Sequence, residues 1–566
     1  MNHRIPEELI EFIKESPTAF HAVSAMAARL TESGFIRLEE GMHWNLKQGG
    51  SYYVTRNDSS LIAFTIPEHP FQGMRIMASH SDSPSFKIKE NPEMESEGHY
   101  IRLNVERYGG MLFAPWFDRP LSVAGRVIVK DPSTDGKPSA CFLSKLVNID
   151  RDLLMIPNLA IHMDRDANNG HKYNAQKDML PLYGDLTAKN TFFQTIAEAA
   201  NVTEDEILGH DLFLYNRQEP CIWGASREFL SAPRLDDLQC AFASLKGFLS
   251  GAKEDYLALH CVFDNEEVGS GTKQGAASTF LKDTLTRIHR NLGYNEEDFL
   301  VHLANSLMVS ADNAHAVHPN YTEKADPTNR PYLNEGIVIK YNANQKYCTD
   351  AVSAAMFKDI CHTASVPVQT FTNRSDMAGG STLGNISNTQ VALNTVDIGL
   401  PQFAMHSPYE TTGVKDTEGK NTTRTTVGKN GRVLERSSES LRGISEIVVD
   451  YGEDRVLSME KASQILCQSC LEKLSEAMEV KCEEGKEPEP VDLVLIDFET
   501  MELYCVQEQY TKRSIRDYTL WMAHTEDTLE INAVYTPVRT EAGKNAGIKE
   551  NAVPSSATDD SAASLK

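Results

Sequence analysis

The sequence predicts an α/β fold: a central, largely parallel sheet flanked by helices, interrupted by a β-rich segment and followed by a small α+β extension. Three observations predict it. After residue 233, helical runs alternate with apolar strand-like runs, as at 238–249, 256–263 and 306–310, and continuous apolar strands signal a sheet covered on both faces. Residues 85 to about 228 instead show short alternating patterns, such as 100–105 and 121–129, then a loop-rich stretch dense in Asn, Asp and His. Beyond about residue 419 the texture becomes polar again.

Taken in order, residues 6–33 read as two amphipathic helices, with Ser16-Pro17-Thr18 supplying the break and a new helix start. Strand-like runs follow at 51–55, 61–66 and 75–79, the first two joined by a turn through Asn57-Asp58-Ser59. The polar run NTTRTTVGKNGR behaves as a linker. A helix is expected over about 455–480, because Leu466, Cys470, Leu474 and Met478 recur every four residues. The acidic segment EEGKEPEP then leads into strands near 491–497, 502–506 and 529–535. Residues 540–566 are small and polar, a composition that does not build a core. The expected organisation is therefore 1–89 with 229–419 as one discontinuous domain, 90–228 as a second, 420–539 as an extension and 540–566 as a disordered tail.

Composition narrows the function classes. The 566 residues are 41% apolar, enough for sizeable cores, and carry a net charge of −25. A phosphate backbone requires a basic surface, so nucleic acid is not expected as a partner. The N-terminus is charged every few residues and lacks the apolar core of a signal peptide. No run approaches the roughly 20 apolar residues of a membrane span, so no membrane partner is expected. The ten cysteines are scattered rather than framed as disulfides, which fits a reducing, cytoplasmic setting. Cys467 and Cys470 form a lone CxxC, a weak metal or redox signal without a second pair.

The chemistry concentrates where apolar strands end. One run ends in His80-Ser81-Asp82, a second in Asp264-Asn265-Glu266-Glu267 and a third in Asp312. In an open α/β sheet, the crevice at the carboxyl ends of the strands is the default ligand site. Asp236 in PRLDD and His406 in AMHS extend the set to two histidines and several carboxylates, a mixture that zinc and similar borderline ions accept. Each piece also has a plainer reading: a strand-end histidine as a surface residue, the paired glutamates as a solvated turn, HSDSP as an ordinary turn. On an extended chain Glu266 and Glu267 would point in opposite directions, one to bind metal and one to face a substrate as a proton shuttle.

These residues lie in an ordered series: FIKESPTAFHAV, GGSYYVTRN, ASHSDSPSFKIK, IPNLAIHM, APRLDDLQ, DNEEVGSGTKQGA, SADNAHAVHPNY, SDMAGGSTLG and AMHSPYETTGVKDT. Over about residues 5–417 the series resembles the aspartyl aminopeptidase family of dinuclear zinc metallopeptidases, in its bacterial form. The resemblance implies two divalent metal ions per subunit, zinc foremost, with cobalt or manganese as alternatives. It implies that His80 and Asp312 bind one ion, Glu267 and His406 the other, and that Asp236 bridges them. Asp82 would orient His80. A water between the ions would attack the peptide carbonyl, with Glu266 taking its proton and passing it to the leaving amine. His162 would reach a neighbouring subunit's site and stabilise the oxyanion. Lys340 would meet an acidic substrate side chain, although by itself it also reads as an edge lysine that blunts an exposed strand.

The implied function is removal of the N-terminal residue, preferably Asp or Glu, from short peptides by a cytoplasmic homo-oligomer. The implied assembly is a tetrahedral dodecamer built from dimers through the β-rich domain. Two rivals stand beside it: a neutral-residue (Leu or Met) aminopeptidase of the same family, and a catalytically silent peptide-binding assembly. Two departures from the family pattern matter. Asp237 stands where the family usually has Asn, and the chain runs some 150 residues beyond the family's usual end.

Overall fold

The computed structural model describes residues 4–131, 142–251 and 256–418, and eight further strands between residues 423 and 535. The chain divides into two compact units. One comprises Met1–Ile360 with Val368–Glu418, the other Cys361–Pro367 with Gly419–Lys566.

The first unit is built on a nine-stranded mixed sheet. Its order is Ile36–Leu38, Ser51–Arg56, Ser60–Thr65, Leu257–Phe263, Met74–His80, Leu307–Ala311, Asn394–Gly399, Ile337–Tyr341, Val368–Thr372. The middle is parallel: Met74–His80 pairs in parallel with both Leu257–Phe263 and Leu307–Ala311, and the latter with Asn394–Gly399. Antiparallel pairings appear on each side, at the Ser51–Arg56/Ser60–Thr65 hairpin and between Ile337–Tyr341 and Asn394–Gly399.

Alternation along the strands separates two cores. Ile62 and Phe64 face one, with Ile76, Leu259 and Phe280. Leu61 and Ala63 face the other, with Phe12, Met26 and Phe242. Helices therefore cover both faces, with Phe280–Asn291 on the first and Arg4–Glu15, Ala19–Glu32 and Leu235–Ser250 on the second. The two expected N-terminal helices, the hairpin and the strand at 75–79 all form. The central strands are mostly buried because each is covered above and below.

The β-rich segment forms a separate six-stranded sheet. Its order is Phe142–Asn148, Leu121–Lys130, Gly209–Asn216, Ser85–Ser96, Tyr100–Tyr108, Leu182–Asp185. Its inward residues, including Phe86, Leu103, Val123 and Leu212, make a core of their own with the helix Phe192–Ala200. A third, five-stranded sheet places Phe229–Ala232 beside Glu410–Gly413, with Ala232 opposite Glu410. No described helix is long and apolar enough to cross a membrane, and the described cysteines Cys221, Cys240, Cys261, Cys348 and Cys361 are all free.

In the second unit two expectations are corrected. The run read as a linker contains the strand Thr423–Val427, which pairs with Val433–Ser438 and with Glu446–Val449. Threonine is polar but β-branched, and branching at Cβ favours an extended chain. The helix expected from 455 does not start there, because Arg455–Ser458 is a strand paired with Glu446–Val449. The four-residue period begins only at Leu466, and residues 459–490, with Cys467, Cys470 and the acidic linker, lie outside the described residues, as do 536–566. Strands form at Val491–Asp497, Glu502–Glu508 and Thr528–Tyr535 as expected, and Tyr518–Thr525 is an addition.

Candidate metal centre

The parallel middle of the sheet delivers the site. His80 is the last residue of Met74–His80, Asp312 immediately follows Leu307–Ala311, and Glu266 and Glu267 follow Leu257–Phe263 after a two-residue turn. Asp236 enters at the start of Leu235–Ser250, where its backbone and that of Asp237 are not yet helical. His406 lies between Pro401–Phe403 and Glu410–Gly413, in a left-handed conformation.

The donor atoms converge around Asp236. His80 Nε2 stands 3.5 Å from Asp236 Oδ1 and 4.0 Å from Asp312 Oδ1. His406 Nε2 stands 3.4 Å from Asp236 Oδ2 and 3.4 Å from Glu267 Oε2. Three groups therefore have ligand atoms within 4.8 Å of one another: His80 with Asp236, Asp237 and Asp312; His80 with Glu266 and Glu267; and Asp236 with Glu267 and His406.

Divalent zinc fits this arrangement on three counts. Zinc–oxygen and zinc–nitrogen bonds are about 2.0–2.2 Å, so two ligands of one tetrahedral ion lie roughly 3.3–3.6 Å apart, the spacing found at both histidines. Asp236 Oδ1, Asp237 Oδ1 and Glu267 Oε1 are buried and make no hydrogen bond, an arrangement that is costly unless a cation completes it. The charge balance agrees. Burial pushes the Glu266 carboxyl up to about 8, helped by Asp312, Asp82 and Asp236. Burial likewise drives Glu267 and Asp237 well above the ordinary carboxylate range, with Asp236 adding to both. Burial alone would lower His80 and His406, but the carboxylates win, raising His80 well above its usual value and His406 to about 9. Asp236 is the exception: burial would raise it, but the His406 and His80 rings that face its two oxygens hold it below the usual range.

The shell behind the donors is equally ordered. His80 Nδ1 contacts the Asp82 carbonyl at 3.0 Å, which directs Nε2 toward the cluster. Asp82 accepts the backbone N–H groups of Glu266 at 3.1 Å and Glu267 at 3.2 Å. Glu266–Val268 is one 3-10 turn, so the two glutamates are not the extended, oppositely pointing pair that their adjacency suggests. The turn brings both toward His80, and Asn265, left-handed at φ 61°, starts it.

Lys340 is 3% exposed, with Nζ 3.5 Å from Asp312 Oδ2. Its strand, Ile337–Tyr341, has a neighbour on each side, so the edge-lysine reading fails. Burial would lower its pKa, but Asp312 raises it, and the residue stays charged. His162 is exposed, in the loop between Phe142–Asn148 and Leu182–Asp185, and is not one of the clustered ligand groups.

Glu410 escaped the sequence reading. Its Oε2 accepts the Asp236 N–H at 3.0 Å and its Oε1 accepts the His406 N–H at 2.7 Å, so one buried carboxylate holds two of the clustered segments. An acid four residues after His406, opening a strand that continues Thr-Thr-Gly, reads as surface when no partner is visible. Asp237 Oδ2 accepts the His80 N–H at 3.1 Å, giving the unusual acid a backbone role as well as a place beside the donors. A cavity of about 450 Å³ adjoins the cluster and is lined by Asp82, Asp236 and Glu410 together with Lys87, Arg126 and Asp211. Neither Glu266 nor Asp312 lines it, although Asp236 does.

Residues 12–423 match the family model described as Aminopeptidase I zinc metalloprotease (M18). A "Probable M18 family aminopeptidase 2" of Clostridium acetobutylicum is 48% identical over 416 residues, covering 72% of this chain and 95% of that protein. Among solved structures, a chain of the complex of Ape4 and Nbr1 superposes with a TM-score of 0.70 at 36% identity, covering 73% of this chain and 83% of that one. A chain of the mApe1 dodecamer of S. cerevisiae superposes with a TM-score of 0.64 at 28% identity, covering 73% of this chain and 94% of that one.

Proposed function

The chain belongs to the M18 family of aminopeptidase I zinc metalloproteases, and we propose that it hydrolyses the N-terminal peptide bond of short peptides with two divalent ions per subunit. The observation that carries this reading is the position of Asp236, whose two oxygens face two different histidines at 3.5 and 3.4 Å. A carboxylate so placed suits a bridge, with His80 and Asp312 completing one ion's set and Glu267 and His406 the other's. Bound there, such ions supply a polarised carbonyl and a water acidic enough to act near neutral pH.

The remaining roles belong to the chain. Glu266 takes the proton of the attacking water and delivers it to the leaving amine. Asp82 keeps His80 and the glutamate turn in register, and Glu410 does the same for Asp236 and His406. Metal analysis of the purified protein, combined with turnover of aminoacyl chromogenic substrates before and after chelation, tests the reading. Fewer than two ions per chain with full activity would overturn the dinuclear mechanism.

Lys340 supports a preference for Asp or Glu at the substrate N-terminus, because a buried cation beside the donor groups offsets the acidity of the site. The neutral-residue reading has its own support: Lys340 is already paired with Asp312. His162, near the exposed Leu159, Ile161 and Met163, suits a residue donated across a subunit interface, since exposed apolar clusters mark contact surfaces. Together with the dodecameric relative, this favours a dodecamer of dimers formed through residues 90–228, with 1–89 and 229–419 as the catalytic domain. The scattered free cysteines favour the cytoplasm.

A further inference from the structure

We propose that Tyr108 is a positioning residue of the metal centre, through which the β-rich sheet fixes the turn that carries Glu266 and Glu267. The inference rests on the dinuclear reading above. None of the clustered ligand groups comes from the six-stranded sheet. Tyr108 is the last residue of Tyr100–Tyr108, in the six-stranded sheet. Its ring stands edge-on to Phe213 of the same sheet, at 5.5 Å and 81°.

The hydroxyl leaves that sheet and joins the centre. It donates to Asp82 Oδ2 at 2.7 Å and accepts from Asn265 Nδ2 at 2.8 Å. The orientation of Asn265 is fixed from its other end, where Oδ1 accepts from Thr272 Oγ1 at 2.8 Å and Gln274 Nε2 at 2.9 Å. Asp82 in turn holds the N–H groups of Glu266 and Glu267 and faces His80 Nδ1 at 3.4 Å. One hydroxyl thus ties the carboxylate to the residue that starts the glutamate turn. Removing it strips a donor from a buried carboxylate and an acceptor from a part-buried amide, and an unsatisfied buried group is costly. The readiest relaxation is rotation of Asp82, which moves the turn.

The next residues continue the contact. Gly109 adopts φ +75°, and a Cβ there would lie 3.1 Å from Glu267 Cβ. A Cβ on Gly110 would lie 3.9 Å from His406 Nδ1, and Leu112 N–H donates to the His406 carbonyl at 3.1 Å. Residues 108–112 therefore touch Asp82, Glu267 and His406 in succession. A ring that merely filled space would need Phe213 alone and not this run.

The test is Tyr108→Phe in the full chain, with zinc affinity measured by chelator competition and kcat and KM measured at saturating zinc. Loss of an outer partner of a metal ligand, the place Asp82 holds beside His80, costs roughly 10- to 100-fold, and Tyr108 acts through Asp82. We expect zinc to bind at least about tenfold more weakly and kcat to fall about tenfold, with KM within about twofold. Phe213→Leu, which removes the packing partner and keeps the hydroxyl, should lower thermal stability without weakening zinc. In an Asp82→Asn background, Tyr108→Phe should have little further effect, because coupled residues are not additive. Wild-type affinity and kcat in Tyr108→Phe, or full additivity with Asp82→Asn, would overturn the proposal. A wild-type protein that binds no zinc would instead overturn the dinuclear reading.

Discussion

His406 Nε2 stands 3.4 Å from Asp236 Oδ2, and the backbone N–H groups of the same two residues both end on the carboxylate of Glu410. Side chains and main chains are thus registered together. The other oxygen of Asp236 faces His80. Loss of Asp236 should therefore disturb both ion positions, whereas loss of His406 should disturb one. We expect His406→Ala to retain about one ion per chain after dialysis and Asp236→Asn to retain less. Elemental analysis of the two variants checks this, and equal losses would argue against a bridging carboxylate.

Glu266→Gln separates chemistry from binding. Size and metal ligands are kept, and only the proton acceptor is removed. Two ions per chain should persist, with turnover reduced at least about a hundredfold, the lower range for a lost general base. Near-normal turnover would remove Glu266 from that role.

The strand-end residues are legible because burial on both faces keeps a central parallel strand mostly apolar up to the polar residues that follow it. His80, Glu267 and Asp312 all stand out that way. What pairs them was not legible. Tyr108 and Glu410 act through hydrogen bonds to Asp82, Asp236 and His406, which lie 26, 174 and 4 positions away, and no periodicity encodes such contacts. The Glu266-Glu267 pair shows the reverse error. Both residues gather beside His80, but through a 3-10 turn set by left-handed Asn265 and not through the extended geometry that adjacency suggests. In the second unit, the threonine-rich strand Thr423–Val427 reads as linker because polarity hides its β-branching.

Lys340→Met distinguishes two uses of one buried cation. If Lys340 meets the substrate, kcat/KM should fall roughly tenfold or more for aspartyl and glutamyl substrates and far less for leucyl ones. That selective loss is the expected result. An equal loss on all substrates, accompanied by weaker metal binding, would assign the lysine to Asp312, 3.5 Å away. A wild-type preference for leucyl or methionyl substrates would favour the neutral-residue reading.

Complementation addresses the assembly. If His162 completes a neighbour's site, His162→Ala and Glu266→Gln subunits are each inactive for different reasons. Mixed under conditions of subunit exchange, they should regain a measurable part of wild-type activity. Absence of recovery despite exchange verified by differential labelling would place each site within a single chain.

His260 provides a pH test away from the metal centre. It lies within the central strand Leu257–Phe263, is fully buried, and neither ring nitrogen has a hydrogen-bond partner. Burial therefore lowers its pKa from 6.5 to about 3. The folded protein keeps the ring neutral while the unfolded chain takes up a proton below pH 6.5. The stability contribution is present above 6.5 and is lost as pH falls toward about 3, because the unfolded state binds more protons across that window. At pH 5 the difference is roughly 1.5 units, or about 2 kcal/mol at 1.36 kcal/mol per unit. His260→Leu keeps similar bulk and removes the titration. Its melting temperature should fall less than wild type between pH 7 and 5, and parallel curves would show that the buried ring does not govern this part of the acid response.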